Sequence, residues 1–245
     1  MNSDKKIEHI SNWIKEYISS LNFQSPSLII GVSGGIDSAV TSTLCCKTGL
    51  RTIAVSMPIK QNASQHDLSL KHLEWLNANF NNVDTMIIEL DDVFKSFEKT
   101  MTDFNNKLAF ANSRSRLRMV TLYQIAQANN GIVVGTGNKV EDFGVGFYTK
   151  YGDGGVDISP IADCNKTQIW ELGKELGILN EIIEAAPTDG LWDDGRTDEG
   201  QLGLKYEELE KAMANPNSPN RAKYENIRNQ NMHKMEPIPV CIIPN

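Results

Sequence analysis

Residues 27–38 of the chain read SLIIGVSGGIDS, a short apolar run that passes directly into a glycine turn. The apolar part has the length of a buried strand, and a helical pattern follows over residues 37–47. Glycines at a strand-to-helix turn let backbone N–H groups approach an anion closely, and the helix N-terminus adds partial positive charge. The pattern therefore predicts a phosphate-binding loop.

Outward from this loop, short apolar runs alternate with helical patterns. The predicted strands cover 27–32, 52–57, 85–90 and 131–136, and the predicted helices cover 7–21, 37–47, 67–76, 107–128, 166–176, 205–214 and 220–232. This alternation predicts an α/β fold, a doubly wound and mostly parallel sheet with helices on both faces, in one domain over 1–245. Residues 142–157 and 187–203 are rich in glycine or aspartate and are expected to form long loops, of the kind that act as lids or are disordered.

The composition limits the class of protein. The chain has 245 residues, an apolar content of 40% and a net charge of −7 at pH 7, which favours one large domain and disfavours nucleic acid or anionic membrane as partners. The N-terminus leads into an amphipathic segment, and no apolar run approaches membrane-spanning length. The four cysteines and four histidines show no zinc-binding spacing, so we expect a reducing, cytoplasmic compartment without zinc chemistry.

The polar residues of the loop indicate what the phosphate site contains. Ser33 and Ser38 carry hydroxyls that can donate to phosphate oxygens, but the lysine of a Walker loop is missing. Asp37 stands in the loop instead, and a carboxylate beside phosphates requires a cation between them, so we interpret Asp37 as a Mg²⁺ ligand. The alternative is an ordinary turn in which Asp37 or Ser38 caps the helix.

This loop resembles the pyrophosphate-binding loop of the N-type ATP pyrophosphatases, enzymes that adenylate a substrate with ATP. The resemblance implies an adenine nucleotide α-hydrolase type of fold and a set of ATP-binding residues in the loop: Gly31, Val32, Ser33, Gly34, Gly35, Ile36, Asp37 and Ser38. The group includes NAD, GMP, asparagine and argininosuccinate synthetases and several tRNA-modifying enzymes, and the loop alone does not choose between them.

Two further segments are similar to NAD synthetases. NSRSRLRM at 112–119 is similar to that family's Asn-x-Lys-Ala-Arg-x-Arg-Met, which implies that Arg116 contacts deamido-NAD. On a helix Arg114 and Arg118 share a face and Arg116 points elsewhere; by spacing alone the three arginines could also form a solvated face. GTGNKVE at 135–141 implies an ATP contact for Thr136 and a Mg²⁺ ligand in Glu141. Gly137-Asn138 departs from the more frequent Asp-His of the family.

The most specific match is GFYTKYGDGGVD at 146–157, which differs little from the family's Gly-Phe-Phe-Thr-Lys-Tyr-Gly-Asp-Gly-Gly-x-Asp. The resemblance implies that Lys150 and Asp157 contact deamido-NAD and that Lys166, further along, contacts ATP. Two C-terminal matches add contacts to both substrates: Thr188 in Ala-Pro-Thr to ATP, and the pair His233 and Lys234 to deamido-NAD.

The resemblance covers nearly the whole chain and implies a reaction, the last step of NAD biosynthesis. ATP adenylates the carboxylate of deamido-NAD, and ammonia then displaces AMP to give NAD. It also implies Mg²⁺ as cofactor, no protein nucleophile, no glutaminase domain and a homodimer, for which 107–128 offers the apolar positions Leu108, Leu117, Leu122 and Ile125. The alternatives are a tRNA thiolase of the same group, which would need a basic surface and catalytic cysteines, and a module that senses nucleotides without turnover.

Overall fold

Four short strands form a parallel sheet in the order β3-β2-β1-β4. They are β1 (Leu28–Gly31), β2 (Thr52–Ser56), β3 (Val83–Ile87) and β4 (Ile132–Val134). A single parallel bridge between Val134 and Ile158 extends the sheet beyond β4. The computed structural model describes residues 1–60, 63–192 and 195–244.

Ten α-helices surround the sheet in the described part of the chain. They are α1 (Ser3–Ser20), α2 (Ile36–Lys47), α3 (Ala63–Asn79), α4 (Asp91–Thr100), α5 (Lys107–Ala128), α6 (Lys166–Glu175), α7 (Asn180–Glu184), α8 (Asp198–Leu202), α9 (Tyr206–Ala214) and α10 (Arg221–Met235), with a 3₁₀ turn at Thr102–Phe104 and a π-helix at Lys139–Val145. Among the described helices, none combines the length and apolar character that a membrane span needs.

Strands β1, β2 and β4 bury both of their faces, as the sequence predicted, whereas the edge strand β3 is partly exposed. On β1, Leu28 and Ile30 pack into the core layer of α1, α2, α3 and α6, whereas Ile29 points to the opposite layer beneath α4 and α5. Alternate side chains of a strand point to opposite faces, so continuous apolar runs are what a sheet covered on both sides requires. The doubly wound α/β prediction is confirmed.

Two predicted loops contain more regular structure than expected. The segment 142–157 begins inside the π-helix, whose first N–H groups bond to the side chain of Asn138. The segment 187–203 contains α8, which Thr197 caps by accepting a hydrogen bond from the Gly200 N–H; its residues 193–194 lie outside the described part. Short helices held by one capping side chain lack the apolar periodicity that reveals longer ones.

The sheet topology places a crevice at the carboxyl ends of β1 and β4. The chain leaves β1 toward β2 on one side, whereas β4 is added on the other side of β1. Ligands of open α/β sheets bind where the strand order reverses in this way. The loop after β1 and the residues after β4 therefore meet at the position expected for a ligand.

Candidate active site

The loop after β1 is stiffened by its own serine hydroxyls. Ser38 Oγ accepts a hydrogen bond from the Ser33 N–H (3.2 Å) and donates to the Gly35 carbonyl (2.9 Å), and Ser33 Oγ accepts from the Gly35 N–H (3.2 Å). Gly34 has a φ of 90°, a conformation that favours glycine. Helix α2 begins at Ile36 with Gly35 as its N-cap, so neither Asp37 nor Ser38 caps it.

A buried lysine lies between two carboxylates at the mouth of this loop. Lys166, the first residue of α6, is 2% exposed and donates from Nζ to Asp37 Oδ2 (2.5 Å) and to Glu141 Oε1 (3.0 Å). Burial lowers the pKa of Lys166, but the charges of Asp37 and Glu141 outweigh it, so the pKa is raised. The lysine therefore stays protonated, and two carboxylates share one ammonium group.

Two residues that the sequence did not single out orient these carboxylates. Asn138 is fully buried, accepts hydrogen bonds from the Val140 and Glu141 N–H groups and donates from Nδ2 to Asp37 Oδ1 (3.1 Å). Tyr206 donates from its hydroxyl to Glu141 Oε1 (2.6 Å), and the Lys166 ammonium lies 4.8 Å from the centre of its ring. The Gly137-Asn138 departure from the family pattern was the available signal for Asn138.

Further acidic groups surround this centre. Burial, followed by the charge of Glu141, raises the pKa of Asp142 and of Asp198 to about 8 in each case. Asp198 is 5% exposed and accepts a hydrogen bond from the Tyr206 hydroxyl at 3.3 Å. Gly137 leaves the space that the Asp142 carboxyl occupies, since a Cβ there would collide with it. Asp142 and Asp198 are then mostly protonated at neutral pH, and the surplus of negative charge around Lys166 comes from Asp37 and Glu141, so an anionic ligand needs added cations.

One cavity of about 510 Å³ joins the loop, the lysine and the acidic groups. It is lined by every residue predicted to contact ATP: Gly31, Val32, Ser33, Gly34, Gly35, Ile36, Asp37, Ser38, Thr136, Lys166 and Thr188. Glu141 and Lys234 line the same cavity. The loop amides and the N-terminus of α2 supply donors for phosphate oxygens at one end of it.

The comparisons with known proteins agree with this architecture. The family model described as NAD synthase matches residues 6–239. The chain belongs to the NAD synthase family. An NH₃-dependent NAD⁺ synthetase of Finegoldia magna is 39% identical over 224 residues, covering 91% of this chain and 89% of the relative.

Two solved structures extend the likeness to the fold. An NMN synthetase from Francisella tularensis superposes with a TM-score of 0.89 at 32% identity, covering 100% of this chain and 99% of that one. An NH₃-dependent NAD synthetase from Campylobacter jejuni, in complex with the nitrate ion, superposes with a TM-score of 0.80 at 26% identity, covering 99% of this chain and 100% of that one. The doubly wound sheet of this chain is thus that of NAD synthetases.

Four of the five residues predicted to contact deamido-NAD do not line the cavity. Arg116 donates from Nε to the Lys150 carbonyl (3.3 Å), and Lys150 donates from Nζ to the His233 carbonyl (2.8 Å). Asp157 accepts from the Val133 N–H (2.7 Å) and from the Tyr123 hydroxyl (3.1 Å). These four residues hold neighbouring segments together, and Lys234 alone of the five reaches the cavity wall.

The arginines of α5 lie on different faces of the helix. Arg114 is buried and donates to the Leu191 carbonyl, and Arg118 lines the cavity and donates to the Met57 carbonyl (3.0 Å). Arg116 lies on the exposed side of the helix. Residues four apart share a helix face, whereas a residue two positions away points elsewhere. The sequence did not predict that Arg118 would face the cavity.

The donors available for Mg²⁺ are the two carboxylates that share Lys166. No cluster of three or more metal-binding side chains occurs in the described residues, so the protein alone offers an incomplete coordination shell. Mg²⁺ is bound in many phosphate-transfer sites by one or two carboxylates together with substrate phosphates and water. Asp37 and Glu141, with their excess negative charge beside the phosphate loop, fit that arrangement.

Proposed function

We propose that this protein is an ammonia-dependent NAD synthetase, which uses ATP to amidate deamido-NAD and releases AMP and pyrophosphate. The observation that carries the proposal is the grouping of Asp37, Glu141 and Lys166 at the mouth of the phosphate-binding loop. Membership of the NAD synthase family and the name of the Finegoldia magna relative support the reaction.

In the first step, a carboxylate oxygen of deamido-NAD attacks the α-phosphorus of ATP and pyrophosphate leaves. The loop amides, the α2 N-terminus and the Lys166 ammonium neutralise the charge that develops on the leaving group. Asp37 and Glu141 would hold Mg²⁺, which supplies further positive charge to the phosphates. The first step thus depends on positioning and charge and needs no protein nucleophile.

In the second step, ammonia attacks the acyl carbon of the adenylate and AMP departs. The protein's task is to hold the adenylate in place and to keep water from hydrolysing it.

Burial raises the pKa of Cys46 to about 12 and raises that of Cys45 as well, so neither thiol is ionised at neutral pH. The neutral thiols argue against a tRNA thiolase, and the four free cysteines support a cytoplasmic location.

For deamido-NAD we retain Arg116, Lys150, Asp157, His233 and Lys234 as proposed contacts and place the nicotinate end near Lys234. The other four residues lie outside the cavity, so the AMP half of deamido-NAD would extend over the cavity's rim. We propose a homodimer in which the partner subunit covers that rim. Of the four apolar α5 positions named for the dimer, three pack against the chain's own core: Leu117, Leu122 and Ile125. The fourth, Leu108, is 57% exposed and is available to a partner subunit.

Sedimentation velocity at micromolar concentration tests the dimer. A single species of twice the chain mass is expected, and Leu108→Asp should weaken it while Asp163→Asn, a change at an exposed carboxylate, should not. A protein that sediments only as monomer would refute this part of the proposal.

A second candidate is the same reaction on nicotinate mononucleotide, giving NMN. It is favoured by the Francisella tularensis NMN synthetase, which superposes on 100% of this chain with a TM-score of 0.89. It is also favoured by the engagement of Arg116 and Lys150 with backbone carbonyls, because those cations are then less available to the second phosphate of a dinucleotide. A mononucleotide would need only the cavity itself.

The deciding experiment follows AMP release with ATP, Mg²⁺, ammonium chloride and either nicotinate nucleotide. A higher kcat/KM with deamido-NAD supports NAD synthesis, and a higher value with the mononucleotide supports the second candidate. Binding of ATP without AMP release from either substrate would contradict both and support a nucleotide-sensing module.

A further inference from the structure

The loop at 146–157 is fastened between two helices. On the α5 side, Thr149 donates to Asn112 Oδ1 (2.6 Å), and Ser115 donates to Asp153 Oδ1 (2.7 Å). On the α10 side, Gly146 has a φ of 67° and approaches Asn231 so closely that a Cβ would lie 2.7 Å from the Asn231 Cβ. A segment rich in glycine is thus held at both edges.

The last turn of α10 contributes carbonyls that have no partner within the helix, because the final four C=O groups of a helix lie beyond its hydrogen-bond ladder. Loop side chains take two of them: Tyr148 donates from its hydroxyl to the Lys234 carbonyl (2.5 Å), and Lys150 donates to the His233 carbonyl (2.8 Å). In return, Lys234 donates from Nζ to the Tyr148 carbonyl (2.8 Å) and lies 5.1 Å from the centre of the Tyr148 ring.

This reciprocal pair, Tyr148 and Lys234, is called the C-terminal clamp below. Both residues line the cavity. The loop reads GFYTKYGDGGVD and has a tyrosine at 148 where the pattern that it resembles has phenylalanine. The aromatic ring alone cannot bond the Lys234 carbonyl, so the hydroxyl adds the bond that fixes the end of α10.

We propose that Tyr148 is a positioning residue for the nicotinate substrate: through the C-terminal clamp it holds the Lys234 ammonium in the cavity wall, where that ammonium binds the anionic nicotinate nucleotide. The inference rests on the proposed function and extends it to a residue that acts through another.

The charge distribution of the cavity makes a fixed cation there useful. Asp37 and Glu141 share a single cation, Lys166, and the nicotinate nucleotide is itself an anion, so Lys234 supplies positive charge on its own part of the cavity lining. Lys234 donates one of its three N–H groups to the Tyr148 carbonyl, so two N–H groups remain for oxygens of the substrate. A free lysine carries about 2 kcal/mol of rotamer entropy, and restraining it before binding lowers the cost of ordering it.

The test is Tyr148→Phe, which keeps the ring and removes only the hydroxyl. The KM for the nicotinate nucleotide should rise about fivefold, the effect of losing one hydrogen bond, while kcat and the KM for ATP stay unchanged. Tyr151→Phe is the matched control, because Tyr151 lies in the same loop but is 52% exposed and should leave all three constants unchanged.

A double-mutant cycle separates positioning from general loosening. Lys234→Met should raise the same KM by more than Tyr148→Phe does, and adding Tyr148→Phe to it should produce no further rise. Lys234→Arg should restore part of the affinity in the presence of Tyr148. An unchanged KM in Tyr148→Phe, or an equal further rise on the Lys234→Met background, would overturn the proposal.

Hydrogen exchange gives a readout that needs no substrate. Amide protons at residues 231–235 should exchange faster in Tyr148→Phe than in the unaltered protein, and Tyr151→Phe should not change them. If the unaltered protein releases no AMP with either nicotinate nucleotide, the proposed function fails, and exchange then decides the clamp by itself. Unchanged exchange in Tyr148→Phe would overturn the clamp whatever the activity.

Discussion

At the scale of single residues, the charge balance around Lys166 governs both stability and function. Removing the Lys166 ammonium from between two buried carboxylates leaves uncompensated charge, which costs about 3–5 kcal/mol in typical proteins. Removing one carboxylate is different, because Lys166 keeps the other as a partner: without Asp37 it still has Glu141, and without Glu141 it still has Asp37. Either carboxylate can therefore be substituted while the protein stays folded, whereas substitution of the lysine should destabilise the fold.

Asp37→Asn and Glu141→Gln should each nearly abolish AMP formation while the protein remains folded. Each variant removes a negative charge that Mg²⁺ would need and leaves the apolar core untouched. The measurement is AMP release across a magnesium titration, with circular dichroism as the check of folding and Asp163→Asn, whose carboxyl is 97% exposed, as the control. Near-normal turnover of either variant at saturating magnesium would show that its carboxylate has no metal role.

His72 should make the stability depend on pH. It is fully buried against α2, its Nε2 lies 2.9 Å from Ser42 Oγ, and burial lowers its pKa to about 4 from the usual 6.5. Because the unfolded chain binds the proton more readily, the free energy of unfolding should fall as pH drops from about 6.5 toward 4, by at most about 1.4 kcal/mol per pH unit.

Urea unfolding at several pH values measures this slope. His72→Gln should flatten it within that window, and His9→Gln, a change at an exposed histidine, should not. An unaltered slope in His72→Gln would show that His72 does not cause the acid sensitivity.

At the scale of elements, the nucleotide crevice depends on how closely β4 approaches β1. Gly131 enters β4 where a Cβ would lie 2.5 Å from the Ser27 carbonyl oxygen and 2.2 Å from Ile29 Cδ1. The Ser27 carbonyl is also held in place by β4, because it accepts a hydrogen bond from the Ile132 N–H (3.0 Å). The only residue that fits at this entry is glycine.

Gly131→Ala should therefore destabilise the protein by about 1–3 kcal/mol, the usual cost of overpacking a core. Thermal unfolding measures the loss, and Gly200→Ala in the surface helix α8 is the control, because its Cβ would meet only the Thr197 hydroxyl at 3.1 Å. Equal melting temperatures for Gly131→Ala and the unaltered protein would show that β4 can shift at no cost.

Most of the long helices could be predicted from the sequence, whereas some shorter elements could not. The prediction of 107–128 coincides with α5, a 22-residue helix with the Asn106 cap at its start. Helix α4 was missed, and β3 was predicted two residues too late. Helix α4 does carry apolar residues at helical spacing (Val93, Phe94 and Phe97), so its pattern was overlooked, whereas β3 is an edge strand whose Met86 and Ile87 are exposed and which lacks a buried apolar run.

The candidate site was likewise predicted only in part. The phosphate loop, Thr136, Lys166 and Thr188 were identified by sequence and line one cavity. Asn138 and Tyr206, which orient the two carboxylates, act through hydrogen bonds across 101 and 65 positions of the chain. Such contacts depend on the folded arrangement of π-helix, α2 and α9, and local pattern carries no information about them.

At the scale of the whole molecule, the arrangement of thiols bears on the source of nitrogen. Glutamine hydrolysis of the common kind requires a thiolate nucleophile with an adjacent base. Cys45, Cys46 and Cys164 are buried with raised pKa values, and Cys241 is exposed in the segment after α10, so none of the four lines the cavity. We therefore expect free ammonia to be the donor.

Purified protein supplied with glutamine freed of ammonia should form no NAD, whereas ammonium chloride should support full turnover. The attacking species must be neutral NH₃, because ammonium has no lone pair to donate to the acyl carbon. As pH rises below the pKa of ammonium, the NH₃ fraction grows about tenfold per unit, so the KM expressed as total ammonium should fall in proportion. The KM expressed as NH₃ should stay constant over the same range. Equal rates with glutamine and ammonium chloride would refute the assignment of the donor, and a constant KM for total ammonium would refute NH₃ as the attacking species.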